Sequence, residues 1–126
     1  MSDFKMLING ALVAGDSTME VINPATEEPV ATCARASIAQ LDQAVAAAKA
    51  AFPAWSKTSM DERRKVLIAI ADVIQANVAD LARLLTQEQG KPLADATGEV
   101  FGASAFFRYF ASLDLPPRVE IGRAHV

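Results

Sequence analysis

Cysteine and histidine are scarce: the 126-residue chain contains one of each, Cys33 and His125. A single cysteine cannot form an internal disulfide, and one cysteine with one histidine cannot supply the four ligands of a structural zinc site. A nucleophilic cysteine also needs a neighbour that stabilises its thiolate, and the segment VATCARAS offers only Arg35. Packing in an apolar strand is therefore the favoured interpretation of Cys33, and a catalytic triad built on the near-terminal His125 is disfavoured.

An excess of positive charge is missing as well. The chain has 12 lysines and arginines against 15 aspartates and glutamates, which gives a formal net charge of -3. This balance has the wrong sign for a protein that binds phosphate backbones or anionic lipid, so we expect no nucleic acid and no membrane partner. The basic triplet at residues 63–65 adjoins Asp61 and Glu62, and we interpret it as a solvated helix face.

Long apolar runs are absent too. Residues 100–110 form the longest such stretch, but Ser104 and Arg108 interrupt it, and a membrane-spanning helix needs about 20 apolar residues. The opening MSDFKMLING lacks the charged start, apolar run and cleavage site of a secretory signal. We therefore expect a cytoplasmic protein.

Glycine-rich phosphate loops and separated carboxylate pairs are not evident. Gly90, Gly98 and Gly102 do not match the GxGxxG spacing, and none of them follows a strand pattern. The adjacent acidic residues at 27–28 and 61–62 are explained by turn propensity and by the helix dipole. The residues alone thus predict no catalytic and no cofactor-binding group.

The first 35 residues do contain strand and turn patterns. In MLINGALV, Asn9-Gly10 lies between short apolar runs, and both residues tolerate the positive φ of a type I′ turn, which predicts a β-hairpin. MEVINP predicts a third strand that Pro24 ends. PVATCAR predicts a fourth strand, in which Ala31 and Cys33 share one side.

From Ser37 onward the periodicity is helical, and two capping boxes mark helix starts. Ser37 with Gln40 opens a helix that ends at Pro53, with apolar residues on one face: Leu41, Ala44, Val45, Ala48 and Phe52. Ser59 with Glu62 opens a second helix, with an apolar stripe at Val66, Leu67, Ile70, Ala71 and Ile74.

Two further helices complete the pattern. Asn77 is predicted to cap a third helix, which ends at a left-handed Gly90. A fourth is predicted from about residue 93 to 113, where Gly98 and Gly102 should mark the close approach of another backbone, because glycine costs about 1 kcal/mol in a helix interior. The apolar residues of this helix surround most of its circumference, which indicates a helix covered on several sides.

The order of these segments resembles the N-terminus of the NAD(P)-dependent aldehyde dehydrogenase superfamily. LINGALVAG, VINPATEEPVA, AVAAAKAAFPAWS, ERRKVLIAIADVI, LLTQEQGKPLADATGEV and RYFA carry the resemblance, which covers about Leu7 to Leu115. The variant EQGKPL…GEV leans toward the semialdehyde dehydrogenase branch. The implied fold class is α/β: an N-terminal β-hairpin and strands followed by four helices, as an incomplete part of the family's nucleotide-binding domain.

The resemblance implies an enzyme that oxidises an aldehyde substrate to a carboxylic acid with NAD or NADP, in a parent that forms homo-oligomers. In the family, the nucleophilic cysteine, the glutamate that activates water and the nucleotide-binding strands lie downstream of this segment. Cys33 does not match the nucleophile's position. The chain alone is therefore expected to be inactive and to bind no cofactor.

Two groups of site residues carry over from the family. The backbone of Val21 or Ile22 and the side chain of Glu88 are implied to bind a monovalent cation, although an exposed glutamate on a last helix turn is also ordinary. Glu88 stands where the clearest family examples have aspartate. Gly98, Gly102 and Phe106 are implied to border the substrate tunnel, with plain helix packing as the alternative.

Three function classes remain open from the sequence. The leading one is a truncated dehydrogenase segment over residues 1–119, and the others are a free-standing helical partner-binding module and an enzyme complete in this chain. The resemblance fades at about residues 118–119, and one permitted reverse translation of EIGRAHV resembles a sequencing adapter. Residues 120–126 are therefore expected to be a non-native tail, in which His125 has no role.

Overall fold

The computed structural model describes residues 2–115. The proposed tail at 120–126, His125 within it, and the boundary at residue 119 lie outside the described residues. The described chain consists of five short strands followed by four helices, which confirms the expected order of elements.

Three strands form a mixed sheet. They are β1 (Ser2–Phe4), β4 (Ser17–Ile22) and β5 (Pro29–Arg35), and β5 lies between the other two. β5 pairs parallel with β1 and antiparallel with β4, so Cys33 lies opposite both Phe4 and Met19. β1 is not among the predicted strands, because three residues are too few to show an alternating pattern.

The predicted hairpin is present and stands apart from the sheet. β2 (Met6–Ile8) pairs antiparallel with β3 (Ala11–Val13). Asn9 and Gly10 connect them with φ values of 51° and 77°, as a type I′ turn requires. At Gly15 the chain passes against β5: a Cβ there would lie 2.5 Å from the carbonyl oxygen of Arg35, so only glycine fits.

The helices are α1 (Ile38–Trp55), α2 (Met60–Ala76), α3 (Val78–Gln89) and α4 (Leu93–Ser112). Both predicted capping boxes are confirmed, Ser37 with Gln40 and Ser59 with Glu62. The predicted stop at Pro53 is wrong, since α1 continues to Trp55. Proline removes one backbone donor there, and the last turn still closes through the N–H of Ser56, which donates to Phe52 at 2.8 Å.

The predicted side-chain cap at Asn77 is also wrong. Asn77 is shared by the end of α2 and the start of α3, and its φ of -113° and ψ of 17° are not the extended values of an N-cap. Its amide Nδ2 donates instead to the carbonyl oxygen of Val73, at 2.7 Å. The left-handed stop at Gly90 is confirmed, with φ 75°.

The interior of the helical part is built from small residues. Ala82, Ala96 and Val100 form its centre, and Ile74, Val78 and Leu85 pack against them. Ser104 on α4 is buried and donates to the carbonyl oxygen of Ala71 on α2 at 3.0 Å. No side chain of large volume among the described residues is fully buried, so much apolar surface stays exposed.

Arginines join the helices at their ends. Arg64 donates to the carbonyl oxygen of Leu113 at 2.9 Å and pairs with Asp61 and Asp114, while Arg108 bonds Asp72 and Gln75 across α2 and α4. The interpretation of residues 63–65 as a solvated face thus holds for the exposed Lys65 and is wrong for Arg63 and Arg64, which bind backbone carbonyls. No helix in residues 2–115 has both the length and the hydropathy needed to cross a membrane.

Candidate functional site

The strand end predicted to contribute to a cation site leads directly into a tight turn. Val21 pairs with Ala31 and Ile22 with Pro29, so the register of β4 shifts between these two residues. In the turn that follows, the N–H of Asn23 donates to the carbonyl oxygen of Glu28 at 2.9 Å, and the N–H of Glu27 donates to that of Asn23 at 2.8 Å. The chain therefore reverses just beyond β4.

Gly90 brings this turn against the end of α3. A Cβ on Gly90 would lie 2.9 Å from Cγ of Pro24, so the proline ring uses space that only glycine leaves free. Gly90 also ends α3 in the left-handed conformation, with its N–H donating to the carbonyl oxygen of Thr86 at 2.8 Å. Because Glu88 precedes Gly90 by two residues, the same contact holds the end of β4 near Glu88.

Val21 and Glu88 line one cavity between the sheet and α3. Its volume is about 240 Å³, and its walls are otherwise apolar or sulfur-bearing: Phe4, Val30, Ala31, Cys33 and Leu84. Ile22 is not part of this lining, and 45% of its surface is exposed. Glu88 also borders an open depression of about 320 Å³ formed by residues of α2, α3 and α4.

The chemistry available in this cavity is limited. A hard cation requires several oxygen ligands, and one carboxylate with strand carbonyls could supply only part of such a set. Within the described part of the chain, no three histidine, cysteine, aspartate or glutamate side chains form a group that could hold a metal ion. The cation site at Val21, Ile22 and Glu88 therefore stays a prediction.

The predicted site did not include five of the residues that line this cavity, three of which belong to β5. Phe4 reaches it on the unpredicted strand β1, and Leu84 comes from the apolar face of α3. Leu84 could have been found from its helical spacing with Leu81 and Leu85, but nothing local marks Phe4, since its position depends on pairing with β5.

Of the predicted tunnel residues on α4, Gly98 and Phe106 are exposed and Gly102 is half-buried. Gly102 and Phe106 share an open depression of about 360 Å³ with Ala105 and Tyr109, and Gly98 is not among the residues that line it. Phe106 is 66% exposed. Two of the three predicted tunnel residues, Gly102 and Phe106, therefore line the same depression.

The close approach expected at the two glycines is not found in residues 2–115. A Cβ added to Gly98 or to Gly102 would meet nothing within 4 Å. The physical reason is orientation, because α4 turns Ala96, Val100, Ser104 and Ala111 toward its neighbours, and the glycines lie on other sides. The tunnel assignment of Gly98, Gly102 and Phe106 stays a prediction.

Comparison with known proteins identifies the chain's relatives. The family model described as "Aldehyde dehydrogenase family" matches residues 12–118. A Pseudomonas sp protein named "Probable aldehyde dehydrogenase" is 45% identical over 119 residues, which are 94% of this chain and 24% of the relative. The mitochondrial methylmalonate-semialdehyde/malonate-semialdehyde dehydrogenase (acylating) of Rattus norvegicus is 44% identical over 99 residues, 77% of this chain and 18% of that enzyme.

The fold agrees with the sequence match. The crystal structure of an NAD-dependent aldehyde dehydrogenase from Sinorhizobium meliloti superposes with a TM-score of 0.84 at 36% identity, over 87% of this chain and 23% of that one. The chain thus spans about a quarter of the length of these relatives, as a partial domain. The match over residues 12–118 and the shared fold together establish that the chain belongs to the aldehyde dehydrogenase family.

Proposed function

We propose that this chain is the N-terminal part of an oxidoreductase that converts an aldehyde to a carboxylic acid with NAD or NADP as hydride acceptor. The observation that carries the proposal is the continuous family match over residues 12–118. The likeness in fold to an NAD-dependent aldehyde dehydrogenase supports the same conclusion. The cytoplasmic location and the homo-oligomeric parent expected from the sequence stay predictions.

The described residues do not fit the cofactor itself. A dinucleotide pyrophosphate binds at a glycine-rich turn between a strand and a helix N-terminus. The strand-to-helix turn between β5 and α1 has no glycine, and Ser37 and Gln40 already occupy the start of that helix. The start of α2 carries the Glu62 carboxylate, which repels phosphate. We therefore place the cofactor outside residues 2–115.

We also place the reacting groups outside this segment. Cys33 is the one cysteine of the chain, and the residues that line its cavity beside α3 include no lysine, arginine or histidine that would stabilise a thiolate. The isolated chain is accordingly proposed to be inactive. Among aldehydes, semialdehydes are the proposed substrate class, because relatives with 44% identity carry such names.

A chimera provides the test of this function. It joins residues 1–115 of this chain to the remainder of the Pseudomonas relative, and NAD(P)H formation is followed with malonate semialdehyde and with propanal. We expect turnover by the chimera, faster with the semialdehyde, and none by the 126-residue chain. Absence of turnover in a chimera that melts cooperatively would contradict the function, and turnover by the 126-residue chain would contradict the placement of the reacting groups.

Two sites are proposed within the same enzyme. The Val21, Ile22 and Glu88 group is proposed to bind a monovalent cation, so Glu88→Gln in the chimera should weaken the dependence of the melting temperature on KCl, measured against the same concentrations of choline chloride. The Gly98, Gly102 and Phe106 row is proposed to border the aldehyde. Phe106→Ala should therefore change KM among aldehydes of different length, and equal KM values across the series would reject it.

A helical partner-binding module is the second candidate, and the exposed apolar faces of the helices favour it. The 126-residue chain separates the two ideas when it is melted alone. A sharp cooperative transition of a monomer would favour the module, whereas aggregation or strong binding of a hydrophobic dye would favour the dehydrogenase segment.

A further inference from the structure

Helix α1 carries a strictly spaced apolar row, and within the described chain only its last member, Trp55, lies against another side chain, that of Arg63. Its members recur at alternating intervals of three and four residues, and they are defined here as the α1 seam: Ile38, Leu41, Val45, Ala48, Phe52 and Trp55. The five large members are between 47% and 80% exposed. Ala48 is exposed as well, and α1 has no buried residue.

The seam is distinct from the face by which α1 meets the rest of the chain. Gln40, Ala44 and Ala47 are half-buried and share one side of the helix, from which Gln40 bonds the segment after the hairpin, whereas residues of the seam lie farther around the helix. The predicted apolar face of α1 combined these two sides, since it placed Ala44 with Leu41 and Val45. In the structure, the side of α1 with small residues is half-buried, and the side with the large residues of the seam is exposed to solvent.

Both ends of α1 are fixed, so the seam is held in place. At the start, the side chain of Gln40 accepts from the N–H of Asp16 at 3.0 Å and donates to the carbonyl oxygen of Ala14 at 2.9 Å. At the end, Arg63 donates to the carbonyl oxygens of Trp55 at 3.0 Å and Ser56 at 3.3 Å, and its guanidinium lies 5.3 Å from the centre of the Trp55 ring. A surface fixed in advance binds with less loss of conformational entropy.

The spacing of the seam specifies the shape of its partner. Apolar residues every 3.5 positions form the contact line of two helices that cross at about 20°, with side chains of each inserted between those of the other. Ala48 leaves a gap midway between the large residues at the two ends, which suits a large side chain on the partner. A helix therefore fits this surface.

The length of the seam indicates whether that helix belongs to a second chain or to the same polypeptide. Eighteen residues of α-helix are about 27 Å long and hold between two and three heptads, fewer than the three to four that sustained coiled coils show. Pairing of two separate chains through this row would thus be weak, while a helix of the same polypeptide benefits from a high effective concentration. The matched segment is 24% of the Pseudomonas relative, so about three quarters of such a polypeptide lies beyond it.

We infer that the α1 seam is the docking surface for a helix supplied by the remaining part of the dehydrogenase polypeptide. This inference rests on the proposed function in one respect, that the chain is a segment of the longer enzyme. It adds which surface receives the remainder and the kind of element that covers it.

The test compares one set of substitutions in two backgrounds, the chimera defined above and the 126-residue chain. Ala48→Leu fills the gap in the seam, and Val45→Glu places a charge there. Ala50→Glu is the matched control, about 140° around the helix from Val45 and also exposed. We expect both seam variants to lower the melting temperature of the chimera by about 5 °C or more, and Ala50→Glu to change it by less than about 1 °C.

The 126-residue chain gives the second measurement. Ala48→Leu leaves its helix content, measured by circular dichroism, unchanged or slightly raised, since leucine is a good helix former at an exposed position. Sedimentation of the unsubstituted chain and of its Val45→Glu variant is expected to give the same mass. A dimer that Val45→Glu dissociates would overturn the inference in favour of a second copy.

Equal melting temperatures of the chimera with and without the seam substitutions would also overturn it. The substitution Ala48→Leu keeps the test decisive if Val45→Glu prevents folding, because leucine adds no charge and favours the helix. Turnover of aldehyde by the chimera is measured separately. A destabilised seam variant of an inactive chimera would refute the proposed activity and leave the docking surface supported.

Discussion

The helical part of the molecule, α2 to α4, and the N-terminal part, the strands with α1, are held by different forces. The helical part buries small side chains: Ala71, Ala82 and Ala96 are at most 1% exposed. The N-terminal part is joined through individual polar groups, chiefly Gln40 and Arg63, and through the contact of Pro24 with Gly90. We therefore expect the stability of the helical part to depend on side-chain volume, and that of the N-terminal part to depend on single hydrogen bonds.

The largest effect is expected from a change of volume in the helical part. Ala96 is fully buried, so Ala96→Leu must displace neighbours on α2 or α3, at a cost of about 3 kcal/mol in the free energy of unfolding. Ala94→Leu on an exposed position of the same helix is the control and should change it by less than about 0.5 kcal/mol. Urea unfolding of the chimera with each substitution, followed by circular dichroism, measures both, and equal midpoints would contradict close packing around Ala96.

Loss of the Arg63 guanidinium should have the next largest effect. Arg63→Ala removes donors to the carbonyl oxygens of Trp55, Ser56 and Thr58, and we expect a loss of about 2 kcal/mol, since these bonds have a charged donor. The fluorescence of Trp55, the single tryptophan, should shift because the group over its ring is gone. Lys65→Ala is the exposed control. An equal loss of stability at Lys65 would mean that the hydrogen bonds of Arg63 contribute no more than an exposed charge does.

A smaller effect is expected where the two parts meet. Gly90→Ala forces an alanine to φ 75° and places its Cβ 2.9 Å from Cγ of Pro24, which should cost about 1–2 kcal/mol. Gly98→Ala is the matched substitution, because the space around it is open in the described chain, and it should stabilise α4 by up to about 1 kcal/mol. Differential scanning calorimetry of both variants in the chimera measures the difference, and an unchanged or raised melting temperature for Gly90→Ala would contradict the tight fit at Gly90.

The smallest effect concerns the start of α2 and depends on pH. The hydroxyl of Ser59 donates to the Glu62 carboxylate, as does the Ser59 backbone N–H, and together they lower the pKa of Glu62 below 4.5. Because the folded-state pKa is depressed, the stabilisation is fully present above the unfolded value and disappears as the pH falls through the lower folded value. Glu62→Gln should remove this pH dependence from the melting temperature, and an unchanged acid limb would contradict it.

Much of the fold follows from local signals in the sequence, because those elements depend on near neighbours. The Asn9-Gly10 turn, both capping boxes and the Gly90 stop each need only a few adjacent residues, and all are confirmed. β1 has no such signal, since its pairing partner is about 29 residues away, as with Phe4 and Cys33. The prediction at Asn77 was wrong for a related reason. Asn77 both ends α2 and begins α3, and its side chain bonds the end of α2 instead of capping α3.

The candidate site shows the same limit. The family resemblance predicted that the backbone of Val21 or Ile22 and the side chain of Glu88 bind one cation, and this stays a prediction. The contact that brings Val21 and Glu88 to one cavity, Pro24 on Gly90, could not be predicted from either segment alone. Gly102 and Phe106 share a depression by virtue of helical spacing, whereas Gly98 does not. The reason for glycine at position 98 is not found in residues 2–115.

The side chain of Gln40 links the start of α1 to the segment that follows the hairpin. Its Oε1 accepts the N–H of Ser37 at 3.2 Å, which completes the start of α1, and also the N–H of Asp16, which belongs to the segment after the hairpin. One amide oxygen therefore accepts hydrogen bonds both at the first turn of α1 and from a backbone N–H 24 positions earlier. The backbone amides of Asp16 and Ser37 should consequently have similar protection factors in deuterium exchange, since one movement of the Gln40 side chain breaks both hydrogen bonds.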